Sequence, residues 1–222
     1  GLMSYSKSPL RDLDIENIVC VGLHDVMGNI HDSITTPINV FRNFVEYVAG
    51  KGYGICSMQN YLTKGKEERK KWIVCTFDDG YKSLTRDALE ILKKQRFTAT
   101  VFVCTGLIGK DNSWNNKDAT LREHLDVNDI YLLAKEGWEI ASHGVLHKNL
   151  LKLNDAEIEY ELFESKQTLN QLVGNCNTYA YPYGAYNKFI RHCVEKYYEY
   201  AFPVDQGGTS MVVDKHQLKR YS

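Results

Sequence analysis

The sequence lacks any long apolar run. A membrane-spanning helix needs about 20 consecutive apolar residues, and no stretch comes near that, so no transmembrane segment is expected. The opening GLMSYSKSPL has no apolar centre of the kind a secretory leader carries. Neither sign of charge dominates: 27 Lys and Arg against 28 Asp and Glu leave a formal net charge of −1. Such a chain sets up no field to draw in nucleic acid or an anionic membrane, and no nucleic-acid partner is expected. Lys70-Lys71 and Lys93-Lys94 are too short to form a basic patch. There is no CxxC pair. The six cysteines (Cys20, Cys56, Cys75, Cys104, Cys176, Cys193) are scattered, and three sit in the apolar runs VCVG, IVCTF and VFVC. They read as reduced, buried thiols rather than a disulfide set or a cysteine zinc site. Reduced thiols without a leader place the chain, as it stands, in the cytoplasm; a leader trimmed ahead of Gly1 would instead make it extracellular or periplasmic. There is also no internal repeat and no Pro/Gly/Ser linker. A chain of 222 residues then reads as one domain over 17–222 behind a polar lead-in at 1–16.

What is present is a repeated order of strand, loop and helix. Apolar runs at 18–23, 53–56, 72–77, 98–104, 138–141, 178–181 and 198–202 predict strands, and 217–221 predicts the start of a last one. Helical patterns lie between them. Thr36 and Pro37 predict an N-cap and first helical residue for a stripe of Ile38, Phe41, Val45 and Val48. Ser83 to Gln95 predicts a helix with Leu84, Ala88, Ile91 and Leu92 inward. Asp126 predicts a cap for a helix through Glu136, Asn154 with Glu157 a capping box for one running to Val173, and Asn187 to Lys196 a further helix. Alternation of this kind predicts α/β architecture with a parallel sheet, open or closed into a barrel.

The stretch that organises the chain is WIVCTFDDGY, Trp72 to Tyr81. A buried strand ends on two adjacent carboxylates, Asp78 and Asp79. They repel each other, and burial raises their pKa, so a cation or a proton has to resolve the conflict. The plainer alternative is an Asp-Gly turn. The second stretch is SHGVLH, with His143 and His147 four apart, the spacing of one side of a helical turn. His24-Asp25 and the turn Pro182-Tyr183-Gly184 also follow strands, and a parallel barrel gathers its strand ends on one rim. Two imidazoles and one carboxylate there would leave positions open for water and substrate, the catalytic rather than the structural zinc pattern. The second carboxylate would then act as general base.

These residues carry a resemblance. TFDDG at 76–80, SHGVLH at 142–147 and YAYPYG at 179–184, in this order, resemble the first three motifs of polysaccharide deacetylases of the NodB-homology type, carbohydrate esterase family 4. The VGLHD opening and the KGYGICSMQNYL stretch are similar to that family's first βα unit, so the likeness runs over about residues 18–221. It implies a single-domain distorted (β/α)7 barrel. It implies one divalent metal ion, most often Zn2+ with Co2+ or Ni2+ as alternatives, held by Asp79, His143 and His147. It implies Asp78 as catalytic base on a metal-bound water, a backbone N–H near Tyr183 as oxyanion donor, and hydrolysis of N-acetyl groups on an amino-sugar oligo- or polysaccharide.

The sequence departs from the pattern in three places. Ala180 stands where the third motif often has an arginine, and the YAYPYG form resembles the subgroup acting on β-1,6-linked poly-N-acetylglucosamine. The fourth motif is not recognisable; FPVDQGG offers Asp205 alone. The fifth motif's histidine is replaced by Arg220, with His216 out of register, and arginine does not release its proton at working pH. Tyr81, Trp114, Pro182, Tyr186 and Arg220 are the candidate substrate contacts, the aromatic ones as platforms for sugar rings. Two rival readings stay open: a hydrolase of a non-sugar C–N bond on a related barrel, and a carbohydrate-binding relic that no longer turns over.

Overall fold

Residues 18–28, 34–113 and 121–203 are described by a computed structural model. In chain order the elements are β1 (Cys20–Leu23), β2 (Asp25–Val26), β3 (Thr35–Thr36), α1 (Ile38–Gly50), β4 (Gly54–Cys56), α2 (Met58–Leu62), α3 (Lys66–Arg69), β5 (Trp72–Phe77), α4 (Asp87–Lys94), β6 (Thr100–Val103), α5 (Val127–Lys135), β7 (Glu139–Ser142), α6 (Asp155–Val173), β8 (Thr178–Ala180), α7 (Lys188–Glu195) and β9 (Tyr200–Phe202). Seven strands form one parallel sheet in the order β1-β5-β6-β7-β8-β9, with β4 beside the start of β5. β5 carries the joint. Its residues 74–77 pair with β1, 72–74 pair with β4, and Thr76 and Phe77 pair with β6. Among the described residues β1 and β9 do not pair, so the curled sheet is a distorted (β/α)7 barrel open on one side.

Alternation along the strands divides the core in two, as a period of two requires. Cys20, Cys56, Val74, Phe102, Ala141, Ala180, Tyr200 and Phe202 form the inner cluster. Their neighbours Cys75, Phe77, Val101, Val103, Ile140, Tyr179 and Ala201 point outward, into the layer beneath the helices. All six cysteines are free and buried, as expected, including the three outside the apolar runs. No helix among the described residues is long and apolar enough to cross a membrane.

Local signals place most helix ends. Asp126 and Asn154 both form full capping boxes, with Asp129 and Glu157, and α6 ends at Val173 as predicted. Two expectations are corrected. Thr36 belongs to β3, so Pro37 takes the N-cap position of α1 and makes no side-chain cap. The helix expected from Ser83 is a tight turn at Lys82–Thr85 followed by α4. The predicted strand at 217–221 lies outside the described residues, as do Trp114, Asp205, His216 and Arg220.

Candidate metal centre and active site

β5 delivers the acidic pair at its C-terminal end. The Asp78 backbone N–H donates to Leu23 O at 2.8 Å, which continues the β1–β5 ladder for one residue. Asp79 then leaves the strand with φ +74° and Gly80 follows with φ +66°. Two left-handed residues in succession turn the chain sharply; an aspartate tolerates that region better than most side chains. The turn tucks Tyr81 under the acidic pair. Its hydroxyl donates to Asp79 Oδ2 at 3.2 Å, and its ring stacks on His124 with centroids 5.2 Å apart. His124 bonds Asp79 O through Nδ1 at 2.8 Å. A carbonyl only accepts, so the proton sits on Nδ1. Burial pulls the His124 pKa down and favours the neutral ring.

His143 follows β7. The segment after it is a loop and not the helical turn predicted from the spacing. Gly144 at φ +81° and His147 at φ +55° reverse the chain and return the second imidazole to the first. The ring centroids lie 4.8 Å apart. Three tethers fix the loop. Glu161 of α6 accepts Val145 N–H at 2.9 Å and Leu146 N–H at 3.4 Å. Gly106 N–H donates to Val145 O at 2.8 Å, an approach that needs glycine because a Cβ there would lie 2.8 Å from that oxygen. Gly144 N–H donates to Ser142 Oγ at 3.2 Å.

The three side chains meet at one oxygen. Asp79 Oδ1 lies 3.2 Å from His143 Nε2 and 3.1 Å from His147 Nε2. The three ligand atoms all fall within 4.8 Å of one another. His143 bonds Ala180 O through Nδ1 at 2.8 Å. That proton is therefore committed, and in the neutral ring Nε2 presents its lone pair to a carboxylate oxygen. Two acceptors at 3.2 Å call for a cation or a proton between them. Asp79 Oδ1 is buried and makes no well-formed hydrogen bond. The charges lean the same way. Burial alone would raise Asp79, but the two imidazoles outweigh it and hold its carboxyl well below the usual range. Burial likewise works to lower His143, and the neighbouring Asp79 and Asp78 raise it. The donor set, two imidazole nitrogens and one carboxylate oxygen, fits a divalent cation.

Asp78 stays beside this cluster. It is buried, and its Oδ2 lies 3.9 Å from Nε2 of the partly exposed His24. Tyr183 occupies the far wall at φ +61°. Its side chain is 61% exposed and its ring meets His147 edge-on at 4.6 Å. Pro182, its neighbour in the chain, is buried, and Tyr186, partly buried, stacks on Tyr181 at 4.9 Å. Tyr81 is a correction. At 1% exposure, with one face on His124 and the Arg122 guanidinium 5.7 Å from its centroid, it has no open face for a sugar ring. Trp114 and Arg220 lie outside the described residues.

Sequence reading missed three groups around the site. His124 and Glu161 reach it from 45 residues after Asp79 and 16 residues after Val145. Arg122 is buried and bonds Asp25 Oδ2 at 3.0 Å, tying the His124 segment to β2 across 97 residues. None carries a local signal beyond its residue type.

A sequence profile of the polysaccharide deacetylase family matches residues 65–201. The chain belongs to the polysaccharide deacetylase family. A poly-β-1,6-N-acetyl-D-glucosamine N-deacetylase of Staphylococcus aureus is 33% identical over 135 residues, 57% of this chain and 45% of the relative. The Bacillus subtilis protein YxkH is 26% identical over 194 residues, 85% of this chain and 66% of the relative. The chain thus spans about half to two thirds of the length of these two relatives. Among solved structures, the Streptococcus pyogenes deacetylase PplD superposes with a TM-score of 0.77 at 21% identity, over 92% of this chain and 91% of that one. IcaB from Ammonifex degensii does so with 0.73 at 20% identity, over 92% and 90%. At these identities the structural likeness establishes the fold.

Proposed function

We propose that this deacetylase is metal-dependent and removes N-acetyl groups from an amino-sugar oligo- or polysaccharide, with β-1,6-linked N-acetylglucosamine as the preferred class. The convergence of Asp79, His143 and His147 on one buried oxygen, with a second carboxylate beside them, carries the reading. The staphylococcal relative's substrate supports the linkage.

Asp79, His143 and His147 would hold a divalent cation, which would supply Lewis acidity toward the acetamide carbonyl and the attacking water. The chain's own groups do the rest. Asp78 takes a proton from the attacking water as its oxygen bonds the carbonyl carbon. The backbone N–H of Tyr183 steadies the negative charge that develops on the carbonyl oxygen. His24 gives a proton to the sugar nitrogen as the C–N bond breaks, leaving acetate and a free amine. An imidazole can carry and release a proton where a guanidinium does not, and His24 Nε2 lies 3.9 Å from Asp78 Oδ2. It fills the role for which Arg220 is chemically unsuited.

The test is acetate release from β-1,4- and β-1,6-linked N-acetylglucosamine oligomers. The protein is stripped of metal and then reloaded with Zn2+, Co2+ or Ni2+ singly. Release restored by metal, faster on the β-1,6 oligomer, is expected. Loaded protein that releases no acetate from either oligomer would overturn the reading.

A further inference from the structure

We infer that Tyr81 and His124 are positioning residues for the metal, acting through Asp79 by fixing which of its oxygens faces the two imidazoles. The inference rests on the metal-dependent reading above. Asp79 is gripped at both ends. Tyr81 Oη holds Oδ2 at 3.2 Å, and Oδ1 is the atom that lies 3.2 and 3.1 Å from the imidazoles. A carboxylate with one oxygen occupied by a hydroxyl donor offers the cation the other. His124 holds the backbone of the same residue through Asp79 O at 2.8 Å, where the chain adopts φ +74°. Without that bond the left-handed turn has one less reason to persist.

The two clamps support each other. Their rings stack at 5.2 Å with 23° between planes, and both are buried. The Arg122–Asp25 ion pair at 3.0 Å, fully buried, anchors the segment that carries His124. Outer groups that orient metal ligands commonly change affinity by 10–100-fold when removed. Tyr81→Phe deletes one oxygen from a packed ring and leaves its stacking in place, so it isolates the hydroxyl. His124→Phe keeps an aromatic ring on Tyr81 and deletes the bond to Asp79 O.

The experiment titrates Co2+ into the metal-stripped full chain and follows its visible absorption, with Zn2+ affinity measured by competition against a chelating dye. Urea midpoints of the metal-free proteins report folding separately. Tyr81→Phe should weaken metal binding about tenfold or more. Its Co2+ absorption should also change in shape, because Oδ2 becomes available to the ion. His124→Phe should weaken binding too, and it carries the test if Tyr81→Phe does not fold. Metal dissociation constants within twofold of wild type in every folded variant, with an unchanged Co2+ spectrum, overturn the inference while the metal site itself stands. A wild-type protein that takes up no metal overturns both.

Discussion

Two of the carboxylates that the barrel buries behave as opposites. Glu139 points inward from the start of β7. Its oxygens accept from Thr100 Oγ1 at 2.7 Å, Thr178 Oγ1 at 2.8 Å and the Gln59 backbone N–H at 3.0 Å. All three donors are neutral. They temper the cost of burial, which still raises its pKa. At the rim, Asp79 is equally buried, yet two imidazoles hold its pKa down and one oxygen lacks a good hydrogen bond. A buried carboxylate with a full set of neutral donors knits strands together. One that faces ionisable nitrogens across a gap is set up for a cation. The distinction lies in the partners and not in the depth.

The sharpest way to break the comparison is inside the rim itself. Asp78 and Asp79 are neighbours with different assigned jobs. Asp78→Asn should lower the rate of acetate release by about 10²–10⁴-fold, the usual worth of a positioned base, while the chain binds metal as before. Near-normal turnover in that variant, measured with metal loaded, would remove Asp78 as the base. The interior carboxylate should show the reverse profile. Glu139→Ala strands three donors and opens a hole, so urea unfolding should report a loss of about 2–4 kcal/mol. Metal affinity of the folded fraction should stay within twofold. A large fall in metal affinity without a fall in stability would mean that the two ends of the barrel are coupled.

How much of this was legible in the sequence follows the same division. The strand ending in Asp78-Asp79 was legible because an apolar run and a paired charge are adjacent in the chain. The cap at Asp126 and the capping box at Asn154 were legible for that reason too. The histidine pair was found, but its geometry was misread. A spacing of four fits a helical turn, and it fits equally a loop reversed at Gly144 and His147. Tyr81 was misplaced because its position after a strand end suggested the open rim. The two left-handed residues before it fold it underneath instead. Arg122 and His124 were invisible for a different reason. Their partners are Asp25 and Asp79, and no pattern along the chain records a contact made only by the fold.

Glu161 tests an intermediate case, a buried carboxylate whose donors are the backbone of the His143–His147 loop. Burial raises its pKa, against the backbone donors that favour its ionised form. Glu161→Gln keeps the volume and replaces one acceptor oxygen with an NH2 that cannot accept from Val145 or Leu146 N–H. The loop carrying His147 should loosen, and metal affinity should fall about tenfold, with global stability reduced by about 1 kcal/mol. Competition against a chelating dye reads the first and urea unfolding the second. A change in stability alone would make Glu161 a packing residue.

The smallest expected effect compares the two carboxylates by proton linkage. Glu139 has a folded pKa raised above its ordinary 4.5. The folded state therefore holds that proton more tightly than the unfolded chain does. Its stabilising contribution is complete below pH 4.5 and is lost as pH rises through the folded pKa. Asp79 has a folded pKa below its ordinary 3.8. Its contribution is present above pH 3.8 and is lost as pH falls through the folded pKa. Unfolding free energies of the metal-free protein, taken as wild type minus variant, separate the two. The difference for Glu139→Gln should shrink as pH rises from 4.5. The difference for Asp79→Asn should shrink as pH falls below 3.8. If both differences move in the same direction with pH, the imidazoles do not control Asp79, and the contrast between a knitting carboxylate and a cation-facing one no longer holds for the metal-free fold.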